Sequence, residues 1–235
     1  MAPPNQPEYK VNRVLDVGTG TGIWAIDYGD EHPEADVIGV DLSPIQPSFV
    51  PPNVKFYIDD IEEPWSYAHP FNYIHCRMMT SSLASWPNFL RDCFNNLAPG
   101  GYFELQEIDL LAKSDDGTLS EESALSRCAK LLGQACIKLG RPFQDNLQLK
   151  DVLADVGFVD VVVTSFKWPT NSWPRDKKYK ELGAWNNGNM AAGLEALTMA
   201  PFTRALGWSR EDVDDFLAEV RKDLNSKAVH AYWPL

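Results

Sequence analysis

The chain contains the stretch Val14-Leu-Asp-Val-Gly-Thr-Gly-Thr-Gly-Ile-Trp24, in which a short apolar run is followed by glycines at positions 18, 20 and 22. An apolar run, a glycine-rich turn and a second apolar segment are typical of a buried parallel strand, a tight turn and the start of a helix. Glycine accepts backbone angles that other residues avoid, and it places no side chain between the backbone and a ligand. The stretch therefore predicts a strand–turn–helix unit whose turn binds a small molecule near the positive end of a helix.

The spacing of the glycines distinguishes two kinds of ligand. A dinucleotide fingerprint reads Gly-x-Gly-x-x-Gly or Ala, and its third small residue lets the helix pack on the strand. Counted from Gly18, that third position is Ile23, which does not fit. The observed Gly-x-Gly-x-Gly, with Asp16 two residues before it, resembles motif I of the class I S-adenosylmethionine-dependent methyltransferases. An ordinary strand-to-helix turn is the alternative, but burying an unpaired carboxylate costs several kcal/mol, which favours a ligand site.

Composition excludes several other classes of protein. A length of 235 residues fits one large domain or two small ones, and the net charge of −12 argues against a nucleic-acid-binding surface. Four cysteines without a C-x-x-C pair indicate reduced thiols, as in a cytoplasmic and/or nuclear protein. No apolar run reaches transmembrane length, so no membrane association is expected. His, Cys, Asp and Glu show no metal-ligand spacing, and no metal site is predicted.

Apolar strands and amphipathic helices alternate along the chain, which predicts a three-layer α/β sandwich around a mostly parallel sheet. The predicted strands are residues 11–17, 35–40, 53–58, 71–75, 102–108, 159–166 and 229–235, with the seventh beside the fifth. The predicted helices are about residues 22–31, 86–97, 120–139, 147–156, 178–199 and 211–224. Ser85 is a predicted N-cap, and Thr118 with Glu121 and Ser209 with Asp212 are predicted capping boxes. Residues 1–10 are expected to form a loose lead-in.

Carboxylates stand at the ends of the second and third predicted strands, where ligands lie in an open α/β sheet. Asp41 ends the second strand and can accept both hydroxyls of a ribose. The run Asp59-Asp60-Ile61 ends the third strand. There a carboxylate can accept from an adenine amino group while the next backbone amide meets a ring nitrogen. Asp60 with Ile61 is the preferred pair and Asp59 the alternate, and a solvated acidic loop is the other interpretation of this run.

Several blocks occur together in the order found in one family. They read Leu15-Asp16-Val17-Gly18-Thr19-Gly20-Thr21-Gly22, Gly39-Val40-Asp41-Leu42-Ser43, Asp59-Asp60-Ile61-Glu62-Glu63-Pro64-Trp65, Phe71-Asn72-Tyr73-Ile74-His75-Cys76-Arg77 and Leu97-Ala98-Pro99-Gly100-Gly101-Tyr102. The chain thereby resembles the fungal class I methyltransferases of the LaeA-like group, which are associated with secondary metabolism and its regulation. The resemblance runs from about Asn12 to Leu235 and is strongest before Asp109.

The resemblance implies a single class I methyltransferase domain over residues 1–235 with a seven-stranded Rossmann-like sheet. Its core would span about residues 11–167, a helical lid after strand six about 168–228, and the last strand 229–235. Two departures from the group are visible. Asn72 stands where the group has Asp, and only residues 1–10 precede the first predicted strand, whereas relatives carry a longer segment that packs over the cofactor. Asn72 is expected to have little effect on cofactor binding, whereas the short N-terminal segment bears on closure of the site and hence on the activity of this short form.

The resemblance also implies the cofactor S-adenosyl-L-methionine, with S-adenosyl-L-homocysteine as product. Its methionine part would lie on Asp16 and the turn residues Gly18, Thr19, Gly20 and Gly22. Its ribose would lie on Asp41 beside Leu42, and its adenine on Asp60 and Ile61 with Asp59 as the alternate. His75 and Arg77 would lie beside the cofactor and face the acceptor pocket.

Two residues are candidate bases. A sulfonium methyl group is already electrophilic, so the protein must mainly place the acceptor in line with it and exclude water. An oxygen or amine acceptor must also lose a proton, and an ordinary His titrates near neutrality. Of the four histidines, only His75 ends a strand on the cofactor side, and we hypothesise that it orients or deprotonates the acceptor. A hydrogen-bonded structural His is the alternative, and Glu107 is the second candidate base.

Two functions remain open. The first is in-line methyl transfer to a small-molecule, secondary-metabolite-like acceptor, under a segment rich in aromatic and amide side chains that includes Trp173, Trp185, Asn186 and Asn187. The alternative is a regulatory LaeA-like methyltransferase that binds S-adenosylmethionine and works through protein partners or protein methylation. Ile23 and the absence of a Tyr-x-x-x-Lys pair argue against a nicotinamide-dependent oxidoreductase. The sequence specifies neither the acceptor nor the oligomeric state.

Overall fold

The computed structural model of the protein describes residues 2–6 and 8–235 and contains two compact units. The first comprises the chain up to residue 79 together with residues 85–107 and 148–162, and the second comprises residues 80–84, 108–147 and 163–235. The strands are β1 Arg13–Val17, β2 Asp36–Asp41, β3 Val54–Ile58, β4 Phe71–Arg77, β5 Leu97–Gln106, β6 Lys113–Ser114, β7 Lys167–Pro169 and β8 Ala231–Pro234. The helices are α1 Ile23–Glu31, α2 Trp86–Asn95, α3 Ala124–Lys138, α4 Leu149–Val156, α5 Lys177–Pro201 and α6 Arg210–Asn225.

The first unit is built on a parallel five-stranded sheet with the order β3-β2-β1-β4-β5. The near-continuous burial of β1, β2 and β4 is what a parallel sheet covered on both faces requires. Successive strands run outward from β1 on one side and from β4 on the other. The boundary between β1 and β4 is therefore the topological switch point, outside which ligands bind in open α/β sheets.

Aromatic side chains fill both faces of this sheet. On one face, residues spaced four apart in α1 and at its C-cap form a stacked row, with ring centroids of Trp24 and Tyr28 4.9 Å apart and those of Tyr28 and His32 4.3 Å apart. On the other face, Phe103 of β5 packs 6.4 Å from Phe89 of α2 and 5.6 Å from Phe158 after α4. The sheet is thus the middle of three layers, as predicted.

The segment before β1 is ordered by polar contacts, so the prediction of a loose lead-in was wrong. Pro3–Asn5 form one 3₁₀ turn. The Asn5 amide donates to Glu104 Oε2 at 2.7 Å and to the Tyr73 hydroxyl at 2.9 Å, and the Ala2 N–H donates to the same Glu104 oxygen at 2.7 Å. The segment supplies donors that a part-buried carboxylate requires. Met1 and Pro7 lie outside the described residues.

The sheet has five strands rather than the predicted seven. Residues 159–166, predicted as the sixth strand, form no strand: Asp160 has a left-handed φ of 55°, and Val159 and Val162 are 83% and 85% exposed. Alternating valines favour an extended chain, but they make a strand only where a partner and a buried face exist. The final strand, β8, does not join β5; it lies between β6 and β7 in a separate antiparallel sheet.

The second unit combines that three-stranded sheet with helices α3, α5 and α6. Buried side chains of α6, among them Val213, Leu217 and Val220, pack against the other helices of this unit. Helix α5 runs over 25 residues and continues as a π-helical turn from Phe202 to Leu206. None of the helices in the described chain has the length and apolar character needed to cross a lipid bilayer.

Helix caps agree with the sequence in two cases and differ in a third. Ser85 caps α2, and Ser209 with Asp212 forms the predicted capping box of α6. Helix α3 begins at Ala124 with Ser123 as its N-cap, so the predicted box of Thr118 and Glu121 was wrong. The Thr118 hydroxyl donates instead to Asp116 at 2.8 Å, which holds it in the preceding loop.

A network on the first sheet makes stability depend on pH. Burial alone would raise the pKa of Glu104, but hydrogen bonds from the Ala2 N–H, the Gln106 amide and the Tyr73 hydroxyl lower it below its ordinary value. A carboxyl group whose pKa is lowered by folding contributes stability that is present above its unfolded pKa of about 4.3 and is lost as the pH falls through the folded value.

Replacement of Tyr73 by Phe tests this network. Because the hydroxyl donates to ionised Glu104 at 2.8 Å, we expect Tyr73→Phe to reduce the free energy of unfolding by about 1.5 kcal/mol at pH 7. The reduction should become smaller as the pH is lowered towards 3. Urea unfolding at several pH values measures it, with Tyr57→Phe on the exposed side of β3 as the control. An equal loss at pH 7 and pH 3 would contradict the assignment.

Candidate functional site

The glycine turn between β1 and α1 has three left-handed residues, each with a different environment. Gly18, Gly20 and Gly22 have φ values of 68°, 57° and 80°. A Cβ on Gly18 would lie 2.5 Å from Met79 Sδ, and one on Gly22 would overlap the ring of Phe56. A Cβ on Gly20 would meet no heavy atom of the described residues within 4 Å. Gly18 and Gly22 are therefore required by internal packing, whereas Gly20 exposes a side-chain-free backbone to its surroundings.

The shape of the turn is set by hydrogen bonds within the protein. The amides of Gly18 and Thr19 both donate to the Val40 carbonyl, at 2.9 and 3.0 Å, and the Gly22 amide donates to the Thr19 carbonyl at 2.9 Å. These amides are consequently engaged by the chain itself. The turn is a preorganised surface, so a ligand would not have to order it.

Asp16 is buried in β1 and uses both carboxylate oxygens. The His75 Nδ1–H donates to Oδ1 at 2.7 Å, and the Thr19 hydroxyl donates to Oδ2 at 2.6 Å. Asp16 and His75 are 3% and 1% exposed. They are also register partners on adjacent strands. The carboxylate therefore joins β1, β4 and the glycine turn at one point.

His75 is held in place by an aromatic stack as well as by Asp16. The indole of Trp24 lies 3.8 Å from the imidazole, with an angle of 8° between the planes. With Nδ1 donating to a carboxylate, Nε2 carries the lone pair, and it is buried without a hydrogen-bond partner among the described residues. The arrangement of carboxylate, imidazole and accepting nitrogen is the one by which a histidine base is oriented.

Asp41 ends β2, as predicted, and its carboxylate contacts the glycine turn. Its Oδ2 accepts from the Gly20 amide at 2.8 Å, and its Oδ1 accepts from the Ser43 amide at 2.9 Å. Each oxygen retains a second lone pair, so the carboxylate can accept further hydrogen bonds. The Gln46 amide donates to the Gly20 carbonyl at 2.7 Å, so Gly20 is hydrogen-bonded through both its N–H and its carbonyl. Leu42 follows with its side chain 67% exposed at the same sheet edge.

The remaining predicted residues lie at strand ends but not in the Asp16 cluster. The Asp59 amide donates to the Asp41 carbonyl at 3.1 Å, which joins the ends of β2 and β3. Asp60 is half-buried and accepts from the Glu62 amide at 3.0 Å, and the Ile61 carbonyl accepts from the Trp65 indole at 2.9 Å. Arg77 is exposed at the end of β4.

Glu107, directly after β5, is buried and acts within the protein as a hydrogen-bond acceptor. Its Oε1 accepts from the Met79 amide at 2.6 Å, and the side chain is 6% exposed. The preceding residue, Met78, has a left-handed φ of 55°, and its amide donates to the Gln106 carbonyl at 3.0 Å. Residues after β4 are thus held in a strained turn by the end of β5.

Several of the aromatic and amide residues expected at an acceptor pocket instead donate hydrogen bonds to backbone carbonyls within the second unit. Asn186 donates to the Pro169 carbonyl at 3.0 Å, and Asn187 donates to the Thr170 and Leu224 carbonyls at 3.1 Å. The Trp173 indole donates to the Ala231 carbonyl at 2.8 Å. Trp185 is 76% exposed. These amides tie α5 to β7 and α6, which is the structural interpretation of the motif.

Sequence reasoning missed three residues of the site. Trp24 stands in the first turn of α1 and had an available signal, since that turn faces the sheet. Gln46 lies in a proline-rich loop, and Met79 follows the recognised β4 block by two residues; neither position carries a pattern that indicates its contact. Within residues 2–6 and 8–235, no three His, Cys, Asp or Glu side chains are grouped so that they could hold a metal ion.

The sequence is similar to those of known methyltransferases. The profile of a family described as a methyltransferase domain matches residues 3–163. Methyltransferase pytC of Aspergillus terreus is 42% identical over 219 residues, covering 93% of this chain and 68% of the relative. Secondary metabolism regulator LAE1 of Cochliobolus heterostrophus is 39% identical over 233 residues, covering 97% of this chain and 76% of the relative.

The fold comparison agrees with the predicted fold class. Haemonchus contortus phosphoethanolamine N-methyltransferase 2, solved in complex with S-adenosyl-L-methionine, superposes with a TM-score of 0.54 at 17% identity. The superposition covers 98% of this chain and 49% of that one. At this identity the similarity concerns the fold alone, which confirms the Rossmann-like methyltransferase architecture.

Alanine substitutions at Gly20 and Gly22 separate the two roles of the turn. Both variants incur the left-handed strain of about 1–2 kcal/mol, but only Gly22→Ala drives a Cβ into Phe56, which is itself packed against Gly39. We expect Gly22→Ala to lower the free energy of unfolding by about 3 kcal/mol and Gly20→Ala by about 1 kcal/mol. Chemical denaturation measures both, and equal losses would contradict the distinction.

Proposed function

This chain belongs to the methyltransferase-domain family, and on that premise we propose that it transfers the sulfonium methyl group of S-adenosyl-L-methionine to a small-molecule, secondary-metabolite-like acceptor. The chain is a methyltransferase by its family. The observation that supports the cofactor site is the contact between the ends of β1 and β2, where Asp41 accepts from the Gly20 amide at 2.8 Å and a Cβ on Gly20 would meet no heavy atom of the described residues within 4 Å. The 42% identity to methyltransferase pytC favours methyl transfer as the reaction.

The residues present fit an adenosyl ligand. The free lone pairs of Asp41 suit two ribose hydroxyls, and the exposed Leu42 beside it suits the face of an adenine ring. Asp60 and Ile61, with Asp59 as the alternate, are the residues we assign to the adenine edge. The open backbone at Gly20, with Gly18, Thr19 and Gly22 shaping the turn, would lie against the methionine part. Asp16 supports this surface through Thr19 rather than through an uncommitted oxygen.

The chemistry that the cofactor supplies is an electrophilic methyl group, which an acceptor attacks in line. The tasks of the protein are to orient the acceptor, exclude water and remove a proton where the acceptor carries one. His75 is the group to which we assign proton removal, because its Nε2 has no hydrogen-bond partner within residues 2–6 and 8–235 and its ring is fixed by Asp16 and Trp24. Because His75 is buried, an acceptor can reach Nε2 only if Trp24 or the side chains on the acceptor side move away from the ring. Arg77, exposed at the end of the same strand, is proposed to line the acceptor side.

Glu107 remains the second candidate base, but its geometry favours a positioning role. Oε1 already accepts from the Met79 amide at 2.6 Å. A carboxylate so engaged holds the segment after β4 against β5. We therefore assign proton transfer to His75 first and support of the turn to Glu107.

A regulatory function is the second candidate. The 39% identity to secondary metabolism regulator LAE1, over nearly the whole chain, favours it. In that case the chain would bind S-adenosyl-L-methionine and work through a protein partner or by methylating a protein. The net charge of −12 would suit a basic partner. Cytoplasm and nucleus are the compartments we propose for either function.

A labelled-methyl assay distinguishes the two functions. The purified chain is incubated with methyl-labelled S-adenosyl-L-methionine and a fungal extract separated into small-molecule and protein fractions. We expect label in the small-molecule fraction. Label in protein alone would support the regulatory candidate, and no transfer to either fraction would contradict the proposal of methyl transfer.

Asp41→Asn tests the proposed ribose contact, and Asp36→Asn is its matched control. Loss of two charge-assisted hydrogen bonds is expected to weaken S-adenosylhomocysteine binding about 100-fold in Asp41→Asn and to abolish transfer at ordinary cofactor concentrations. Asp36→Asn, at the other end of the same strand in a surface ion pair with Lys55, should bind and turn over as the parent does. Calorimetry measures the affinities.

His75→Asn tests the base. The Asn amide can still donate to Asp16 but offers no basic nitrogen, so we expect kcat to fall about 100-fold with S-adenosylhomocysteine affinity changed less than about threefold. His69→Asn, on an exposed residue, is the control and should leave both quantities unchanged. An unaffected kcat in His75→Asn, measured with an acceptor that must lose a proton, would remove His75 from the proton-transfer role.

A further inference from the structure

One side chain of the first unit crosses the switch point between β1 and β4. Gly18 is the first residue after β1, and Met79 is the second residue after β4. A Cβ on Gly18 would lie 2.5 Å from Met79 Sδ and 3.5 Å from its terminal methyl carbon. The thioether therefore lies directly on the backbone of the glycine turn, at the mouth of the crevice in which such sheets bind ligands.

The chain holds Met79 there by a conformation that most residues avoid. Met78 has a φ of 55°, which is uncommon for a residue other than Gly, Asn or Asp. Two hydrogen bonds to the end of β5 maintain it, from the Met78 amide to the Gln106 carbonyl and from the Met79 amide to Glu107 Oε1. Non-glycine residues held in left-handed conformations by their surroundings cluster at functional sites.

Met79 differs from the other side chain that packs on this turn. The ring of Phe56 is enclosed between Gly22 and Gly39, since a Cβ at either position would overlap it. Phe56 and Met79 are both half-buried, but methionine is unbranched, has three rotatable bonds and adapts its shape readily. Its main-chain amide is held by Glu107, whereas the rotatable bonds of its side chain give the thioether other staggered rotamers. The Phe56 ring is therefore confined by the backbones of Gly22 and Gly39, and Met79 has the more adaptable side chain of the two.

We propose that Met79 is a gate that controls entry of the cofactor at the switch point. The proposal rests on the proposed function, because it assumes that the methionine part of S-adenosyl-L-methionine approaches the turn beside Gly18. In the conformer described above, the thioether covers Gly18, and the ligand reaches this backbone only after the thioether has moved aside. Binding is then weakened by the fraction of molecules in which the gate is closed.

The first test compares association rates of S-adenosylhomocysteine by stopped-flow fluorescence. Met79→Ala removes the thioether and should accelerate association and tighten the affinity, each about tenfold, which corresponds to a gate closed in about nine of ten molecules. Met78→Ala is the matched control: Ala has the same Cβ and the same φ penalty, and the change should be less than about twofold. Unchanged or slower association in Met79→Ala would overturn the proposal.

The second test needs no loss of side-chain volume. The chain has five methionines, and labelling their methyl groups with ¹³C gives five NMR probes. Met79→Leu assigns the Met79 signal. On addition of S-adenosylhomocysteine, the Met79 methyl signal should shift more than those of Met190 and Met199 in the second unit. A Met79 signal that stays in place while calorimetry shows binding would overturn the gate and leave the proposed function intact.

The two proposals can fail separately. If S-adenosylhomocysteine binds neither the parent chain nor Met79→Ala, the proposed function fails, and the gate fails with it. Binding to Met79→Ala with none detectable to the parent would support both, since it would show that the thioether is what closes the site.

Discussion

The buried carboxylate of Asp16 is the constraint on which the rest of the site depends. An ionised group inside a sheet is destabilising unless both oxygens are satisfied. Here the partners come from two other places in the chain, the Thr19 hydroxyl in the turn and the His75 imidazole on β4. Satisfying one carboxylate therefore fixes the turn, the register of β1 on β4 and the orientation of His75.

The hydrogen bonds of Asp16 also determine the shape of the turn against which a ligand would bind. With Thr19 bound to Asp16 and its amide bound to Val40, the turn cannot collapse onto the sheet, and Gly20 is left facing outward. Asp41 and Gln46 then hold the Gly20 peptide from both sides. The turn offers a ligand a preorganised backbone without side chains. Its Gly18, Thr19 and Gly22 amides already donate hydrogen bonds within the protein. Recognition of charge and hydroxyl groups is left to the strand-end carboxylates, chiefly Asp41.

The sequence predicted the features that depend on local pattern. The strand–turn–helix unit, the carboxylate at the end of β2 and the caps of α2 and α6 all follow from short-range chemistry, and the structure confirms them. The pairing partner of β8 was not predictable, because alternation indicates a strand but not its neighbour. The ordered segment before β1 was missed for a similar reason: Asn5 meets Glu104 across 99 positions, and nothing in a proline-rich stretch indicates that contact. The roles of individual site residues remain predictions, since contacts to a ligand follow from neither pattern nor fold.

A crystal structure of the chain with S-adenosylhomocysteine bound is the most direct measurement of the central claim. The account predicts the adenosyl group outside the carboxyl ends of β1, β2 and β3, with ribose hydroxyls at about 2.6–3.2 Å from the Asp41 carboxylate and the amino-acid part against the turn at Gly18 to Gly20. Ligand bound elsewhere, or this crevice filled by the chain's own side chains at saturating ligand, would contradict it.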